Sequence, residues 1–224
     1  MIDIRNVEKI LIKGNREVKV LKNVNIRIQS GEFVSFMGDG NSGKSSLIKI
    51  IGCQDRPTTG EYWLYNMIVE NLKESELFKI KNTEIGFVSK TFNQLSRTSV
   101  IESVELPMMY AGISEKERRQ RATTLLKKVR IENKSNYKPN QLSLEERQRF
   151  AIARALANNP KIILANEVTD QLDIKKGKGI IDIFQRLNNE GMTVVIAVNN
   201  YDIARFSKRI VFFKKGEVMD DIQI

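Results

Sequence analysis

Gly38-Asp39-Gly40-Asn41-Ser42-Gly43-Lys44-Ser45 fits the pattern GxxxxGK[ST], and its flanks give that pattern physical meaning. Phe33 to Met37 (FVSFM) reads as a buried strand, and Ser45 to Ile51 (SSLIKII) as a helix with an apolar face. A loop joining them turns backbone N–H groups toward the start of a helix, where the positive end of the helix dipole favours an anion. In such a loop Lys44 reaches terminal phosphates and Ser45, which closes the motif, a magnesium ion, and the nucleotide-binding stretch extends to Ser46. A glycine-rich turn with a chance lysine is the alternative, and the flanking strand and helix argue against it.

On the N-terminal side of this loop, apolar and polar residues alternate (Ile2, Ile4, Val7; Val18, Val20; Val24, Ile26, Ile28) around a Gly14-Asn15 turn, predicting antiparallel strands. On its C-terminal side, Pro57-Thr58-Thr59-Gly60 marks a turn before a strand, Glu61 to Tyr65, then a helix, Glu74 to Lys81, and a strand, Glu84 to Ser89. From Val100 to Asn158 the pattern is charged and helical, with breaks expected at Pro107, Gly112 and Lys138-Pro139-Asn140. Strands resume at Lys161 to Ala165 and Thr193 to Val198, separated by an amphipathic helix, Ile174 to Asn189, and followed by a hairpin over Arg209 to Met219. Strands apolar on both faces, alternating with helices, imply a parallel sheet covered on both sides.

Composition narrows the function classes. The 224 residues, 41% hydrophobic, suffice for one domain with a sizeable core. The longest apolar runs fall far short of the roughly 20 residues a membrane span needs, and a soluble, intracellular protein is expected. Cys53 is alone and histidine is absent, which excludes an internal disulfide, zinc chemistry and histidine general-base catalysis within this chain. The net charge of +10 is spread along the sequence and reads as a solvated basic surface. Nucleic-acid binding would need a basic face interleaved with aromatic platforms, and none is visible.

Taken together, the loop, the helical block, Leu142-Ser143 followed by QRFAIARALANNPKIILA, the acids Glu167 and Asp173, and the late apolar strand resemble the ATPases of ATP-binding-cassette (ABC) transporters. The stretches IIGCQDRPTTGEYWLYN and SVIESVELPMMYAGI are similar to the small ATPase subunits of lipoprotein-export, macrolide-efflux and cell-division transporters. The resemblance runs from residue 2 to about residue 219 and implies an α/β P-loop fold in one domain, residues 1–224. Residues 1–89 and 159–224 would form the nucleotide-binding core with an antiparallel β subdomain, and residues 90–158 an inserted helical subdomain. It further implies ATP and Mg2+ as cofactors and a second ATPase subunit, identical or related. A membrane-embedded subunit would dock on the helical block, locating the chain in the cytoplasm at the inner face of the cell membrane. Pro107-Met108-Met109-Tyr110 is either an apolar patch receiving that subunit or buried core.

The same resemblance exposes departures. The adenine-stacking aromatic falls at Leu11, which has no π face, and in the loop Asn41 stands for a glycine while Asp39 adds a carboxylate. The magnesium-ligating glutamine falls at Lys90, the acid that orients the metal's water shell at Asn166, and the switch histidine at Asn199. Glu167, the water-activating acid, and Asp173 are kept. LSGGQ reads Leu142-Ser143-Leu144-Glu145-Glu146, with Ser143 retained. A carboxylate about 6 Å from a phosphate charge, at an effective dielectric of about 20, is repelled by roughly 3 kcal/mol. Three readings follow: an ABC subunit that binds ATP and hydrolyses it weakly or not at all, a nucleotide-independent pseudo-ATPase valued for its shape, or a redesigned ABC scaffold.

Overall fold

The computed structural model describes residues 1–89 and 98–224, without the Lys13 side chain. In chain order it runs β1 (Ile2–Lys13), β2 (Arg16–Ile28), β3 (Phe33–Met37), α1 (Lys44–Ile51), β4 (Thr59–Leu64), β5 (Met67–Ile68), α2 (Glu74–Thr83) and β6 (Ile85–Ser89). Three helices follow, α3 (Val100–Tyr110), α4 (Glu115–Lys128) and α5 (Leu144–Ala155). The chain then returns through β7 (Ile162–Asn166), α6 (Ile174–Asn189), β8 (Thr193–Val198), a short α7 (Tyr201–Ala204), β9 (Arg209–Lys214) and β10 (Glu217–Gln223).

Two sheets form. The alternating N-terminal segment pairs antiparallel in the order β2-β1-β4-β5, and the six remaining strands lie in the order β10-β9-β3-β8-β7-β6. Within the second sheet β9, β3, β8, β7 and β6 are mutually parallel, and β10 closes the edge antiparallel to β9. The period of two along a strand explains how this sheet is covered. In β7, Ile163 and Ala165 pack into one apolar cluster with the helices α3 to α6, while Ile162 and Leu164 pack into another with α1 and the antiparallel sheet. β8 divides in the same way, and neither strand has an exposed residue.

Register decides where the chemistry collects. Met37 lies opposite Val198, Ala197 opposite Asn166, and Asn166 opposite Ser89, so β3, β8, β7 and β6 end level with one another. The loop after β3 and the residues after β7 and β8 therefore emerge on one edge of the sheet, the usual ligand-binding edge of parallel α/β proteins.

Several local expectations need correction. Pro107 does not break the helical block; it lies inside α3, in its last turn, where only the Ser103 carbonyl forfeits its helical donor. Gly112 does end a helix, in the left-handed conformation at φ 76°. Pro107-Met108-Met109-Tyr110 is neither all patch nor all core: Met108 is fully buried, Met109 and Tyr110 are exposed. The strand expected from Glu61 begins at Thr59, because Gly60, at φ 86°, packs against the Asn6 backbone where an added Cβ would lie 2.3 Å from a carbonyl oxygen.

Candidate functional site

The loop after β3 is shaped by close backbone approaches. A Cβ on Gly38 would sit 2.4 Å from the Phe213 carbonyl oxygen, and one on Gly43 2.5 Å from that of Val20. Gly43 also adopts φ 100°, the left-handed conformation that lets the chain turn straight into α1. Gly40 has open space around it, and Asp39 and Asn41 are exposed, so the middle of the loop is sterically free. Two hydrogen bonds fix the loop from behind: Gly216 N–H donates to the Ser42 carbonyl, and Lys22 N–H to the Gly216 carbonyl, both at 2.9 Å. At the start of α1 the Ser46 and Leu47 N–H groups donate to the Gly43 carbonyl at 3.0 and 3.1 Å, and those of Lys44 and Ser45 have no carbonyl ahead of them within the helix.

Lys44 is buried to 1% exposure. Its Nζ donates to the Asp39 carbonyl at 3.1 Å and to Glu167 Oε1 at 3.2 Å. Ser45 Oγ donates to the same Glu167 oxygen at 2.9 Å. Glu167 leaves the end of β7 with φ 55°, a strained conformation for a non-glycine residue, and its N–H donates to the Ala197 carbonyl of β8. β3 and β7 are not neighbours, since β8 lies between them. The contact thus spans two strand spacings, about 10 Å, which the long lysine and the displaced start of α1 bridge.

Around this centre, Asn166 is buried and its Oδ1 has no hydrogen-bond partner among the described residues; the same holds for Ser42 Oγ. Asn199, after β8, donates from Nδ2 to Asp170 Oδ2 at 2.5 Å. Asp173 caps α6: its Oδ1 accepts from Lys176 N–H and its Oδ2 pairs with Lys176 Nζ, each at 2.9 Å. The Lys176 side chain is the main reason the Asp173 carboxyl titrates below the ordinary carboxylate range. Leu11 is half-buried opposite Val18 on the β1–β2 hairpin, whose Val20 and Leu21 touch the loop at Gly43. The Lys90 expectation lies outside the described residues.

Ser143, Leu144, Glu145 and Glu146 form the start of α5. Ser143 Oγ accepts from Glu146 N–H at 3.3 Å, and Glu146 Oε2 accepts from Ser143 N–H at 2.8 Å, a reciprocal capping box. Glu146 also lies 3.5 Å from Lys134 Nζ, and Glu145 accepts from Arg149 at 2.7 Å. Hydrogen bonding from the Ser143 backbone leads the causes that hold Glu146 below the usual carboxylate range. The S-x-x-E spacing was available in the sequence as a helix-start signal. The pairing of Asn199 with Asp170 and the Gly216 clasp had none, because each joins residues remote in sequence.

Among the described residues no cluster of three or more His, Cys, Asp or Glu could hold a metal ion. A magnesium ion that keeps most of its water needs no such cluster. The Ser45 hydroxyl and the unpartnered Asn166 amide oxygen fit a hydrated, phosphate-bound cation, as neutral donors that hold it less firmly than a carboxylate would.

A parallel α/β sheet whose strand-loop-helix presents converging amides, a buried lysine and a serine to a glutamate two strands away defines a P-loop nucleotide-binding protein. The profile described as ABC transporter matches residues 21–170. The chain belongs to the ABC transporter family, and its fold is that of the family's ATPase. It is 47% identical over 223 residues to the ABC transporter ATP-binding protein MJ0796 of Methanocaldococcus jannaschii, covering 97% of this chain and 95% of that one. Its backbone matches the dimeric structure of MJ0796 with a TM-score of 0.93 at 45% identity, covering 100% and 98%. A second structure of that protein is a post-hydrolysis dimer bound to ADP and Pi, at the same TM-score. The macrolide export ATP-binding/permease protein MacB 2 of Yersinia pestis is 39% identical over 99% of this chain, which spans 33% of that relative's length. Among the described residues no helix is long and apolar enough to cross a membrane.

Proposed function

We propose that the chain is the ATP-binding subunit of an ABC transporter, that it binds Mg-ATP through residues 38–46, and that it hydrolyses the nucleotide slowly or not at all. The convergence of Lys44, Ser45 and Glu167 carries this reading. Without nucleotide, the Glu167 carboxylate occupies the donors that phosphate oxygens would use. With nucleotide bound, Lys44 and the loop amides would take up the phosphate charge, Ser45 and Asn166 would hold the magnesium ion, and Leu11 would offer adenine an apolar contact. The cation would supply charge neutralisation at the transferring phosphoryl oxygens. Glu167, released from Lys44, is the group to polarise the attacking water.

Slow turnover is supported by four substitutions acting together. Asn166 brings no charge to the metal's water shell, Asn199 cannot become a cation, Lys90 is a donor only, and the start of α5 is already capped by Glu146. The last point favours the second reading, a pseudo-ATPase, because the helix end that would meet a partner subunit's phosphate carries two carboxylates.

A membrane-embedded subunit is supported by the MacB relative, whose name joins ATP-binding to permease and of which this chain matches a third. Pairing with a second cassette, identical or related, is supported by the dimeric neighbour. We place the chain at the cytoplasmic face of the membrane as one cassette, with residues 90–158 as its helical subdomain. Nucleotide titration with and without Mg2+, followed by size exclusion, tests the reading. Magnesium-dependent binding with turnover far below that of an intact relative is expected. Rapid turnover by this chain alone overturns the slow-hydrolysis half, and no binding by the folded protein leaves the pseudo-ATPase.

A further inference from the structure

We infer that the outer face of the antiparallel sheet holds a second ligand site, a cavity over β1, β2 and β4 that takes a small aromatic oxyanion, a carboxylate or a phosphate, on Arg5, Arg27 and Trp63. The inference goes beyond the nucleotide reading and does not depend on it. The cavity measures about 370 Å³ and is lined by Asp3, Arg5, Arg27, Gln29, Trp63 and Asn66 among others.

Strand register builds the site. Asp3 of β1 lies opposite Arg27 of β2 on one side and Trp63 of β4 on the other, so the three residues form a row across three strands. Alternation turns them outward: Ile2, Ile4, Tyr62 and Leu64 are buried, Arg5 and Arg27 are exposed, and Trp63 is half-buried. The row sits at the opposite end of the β1–β2 pair from Leu11 and Val18.

Charge in this row is unbalanced. Arg5 Nε, Arg5 Nη2 and Arg27 Nη2 all donate to one oxygen, Asp3 Oδ2, at 3.0, 2.7 and 3.0 Å. Arg5 leads the causes that hold the Asp3 carboxyl below the ordinary carboxylate range, so one negative charge serves two guanidinium groups. Elsewhere the sharing is more even. Arg118 and Arg119 take separate oxygens of Glu105, and Arg209 has both Asp221 and Glu32. Glu61 adds a weaker pull on Arg5, but its carboxylate accepts from Trp63 Nε1 at 2.8 Å and does not line the cavity. Both Arg5 and Arg27 keep N–H donors without a partner among the described residues, the donors that a carboxylate or phosphate accepts in pairs.

Size and lining select a ring-bearing anion over an inorganic one. A volume of about 370 Å³ lies in the range of small-molecule sites. The Trp63 ring is held by its bond to Glu61 and by the Arg5 guanidinium, whose Cζ lies 4.7 Å from the ring centroid. It gives the cavity an indole wall for a second ring, and the Gln29 and Asn66 amides add neutral donors to the lining.

Trp63 is the only tryptophan in the sequence, so its fluorescence reads the site directly. Phenyl phosphate and benzoate are titrated into the full chain, with phenol and inorganic phosphate as controls. Saturable quenching by at least one of the two ring-bearing anions is expected, about tenfold tighter than by either control, and the tighter of the two fixes the class of oxyanion. Arg27→Gln, at an exposed position, should weaken that binding about tenfold, whereas Lys44→Met should leave it unchanged. No saturable response to either anion, an equal response to the controls, or an unchanged affinity in Arg27→Gln overturns the inference. So does loss of the response in Lys44→Met, which would put the anion on the phosphate loop instead.

Discussion

Two helix starts in this molecule face opposite fates. α1 begins after Gly43 with no side-chain cap and no acid in its first turn, and its first residue is the buried Lys44. α5 begins after Ser143 with a complete capping box and two acids in its first turn. Both have the partial positive charge that attracts phosphate. α1 leaves it available, whereas α5 spends it on its own Glu146. A helix N-terminus is thus open to an outside anion only while no acid of its own first turn or cap takes it. Among the described helices α1 alone has neither, the nearby Glu167 carboxylate being held by the Lys44 and Ser45 side chains.

The comparison yields predictions of decreasing size. Lys44→Met removes the cation from the open end, and Mg-ATP affinity by calorimetry should fall at least about a hundredfold, near 3 kcal/mol. Reverting Lys90→Gln, Leu144→Gly, Glu145→Gly, Glu146→Gln, Asn166→Asp and Asn199→His together opens the second end and restores the metal and switch groups. ATP-driven dimerisation by size exclusion should rise and phosphate release should increase about thirtyfold, roughly 2 kcal/mol of barrier. No change in either would mean that the two helix starts do not meet across a dimer.

Glu146→Ala removes one side of the capping box and should cost about 1 kcal/mol in urea unfolding, leaving ATP binding by α1 intact. Glu146→Gln keeps hydrogen-bonding groups and loses the charge, so the stability the charge adds at neutral pH should be lost and the acid dependence should flatten. Because Glu146 titrates below its ordinary value of 4.5 in the folded protein, its contribution is present above that value and is lost as pH falls through the lowered one. In Glu146→Gln the fall in melting temperature below pH 4.5 should be slightly shallower.

Much of the fold was legible because its signals are local. Alternation in Ile2 to Ile28 and the two-faced apolar strands at 162–166 and 193–198 name their elements within a few residues. Pro107 misleads because its lost hydrogen bond to the Ser103 carbonyl is a local cost that packing outweighs, with Val104 and Met108 of the same helix fully buried. The loop with Lys44 and Ser45 was readable from spacing. Its contact with Glu167 was not, since it depends on β8 being inserted between β3 and β7, a fact of topology. The α5 start is written in Ser143 and Glu146 as a helix-start signal, which comparison with LSGGQ obscures because it treats the same residues as losses.

β3, which carries the loop, has β8 and β9 as its hydrogen-bonded neighbours, and both come from the last third of the chain. The clasp behind the loop, Gly216, comes later still. During synthesis, therefore, the segment proposed to bind phosphate leaves the ribosome among the first and is finished among the last. A nascent chain halted before residue 193 would carry the full GxxxxGK[ST] motif with no strand to hold it in shape.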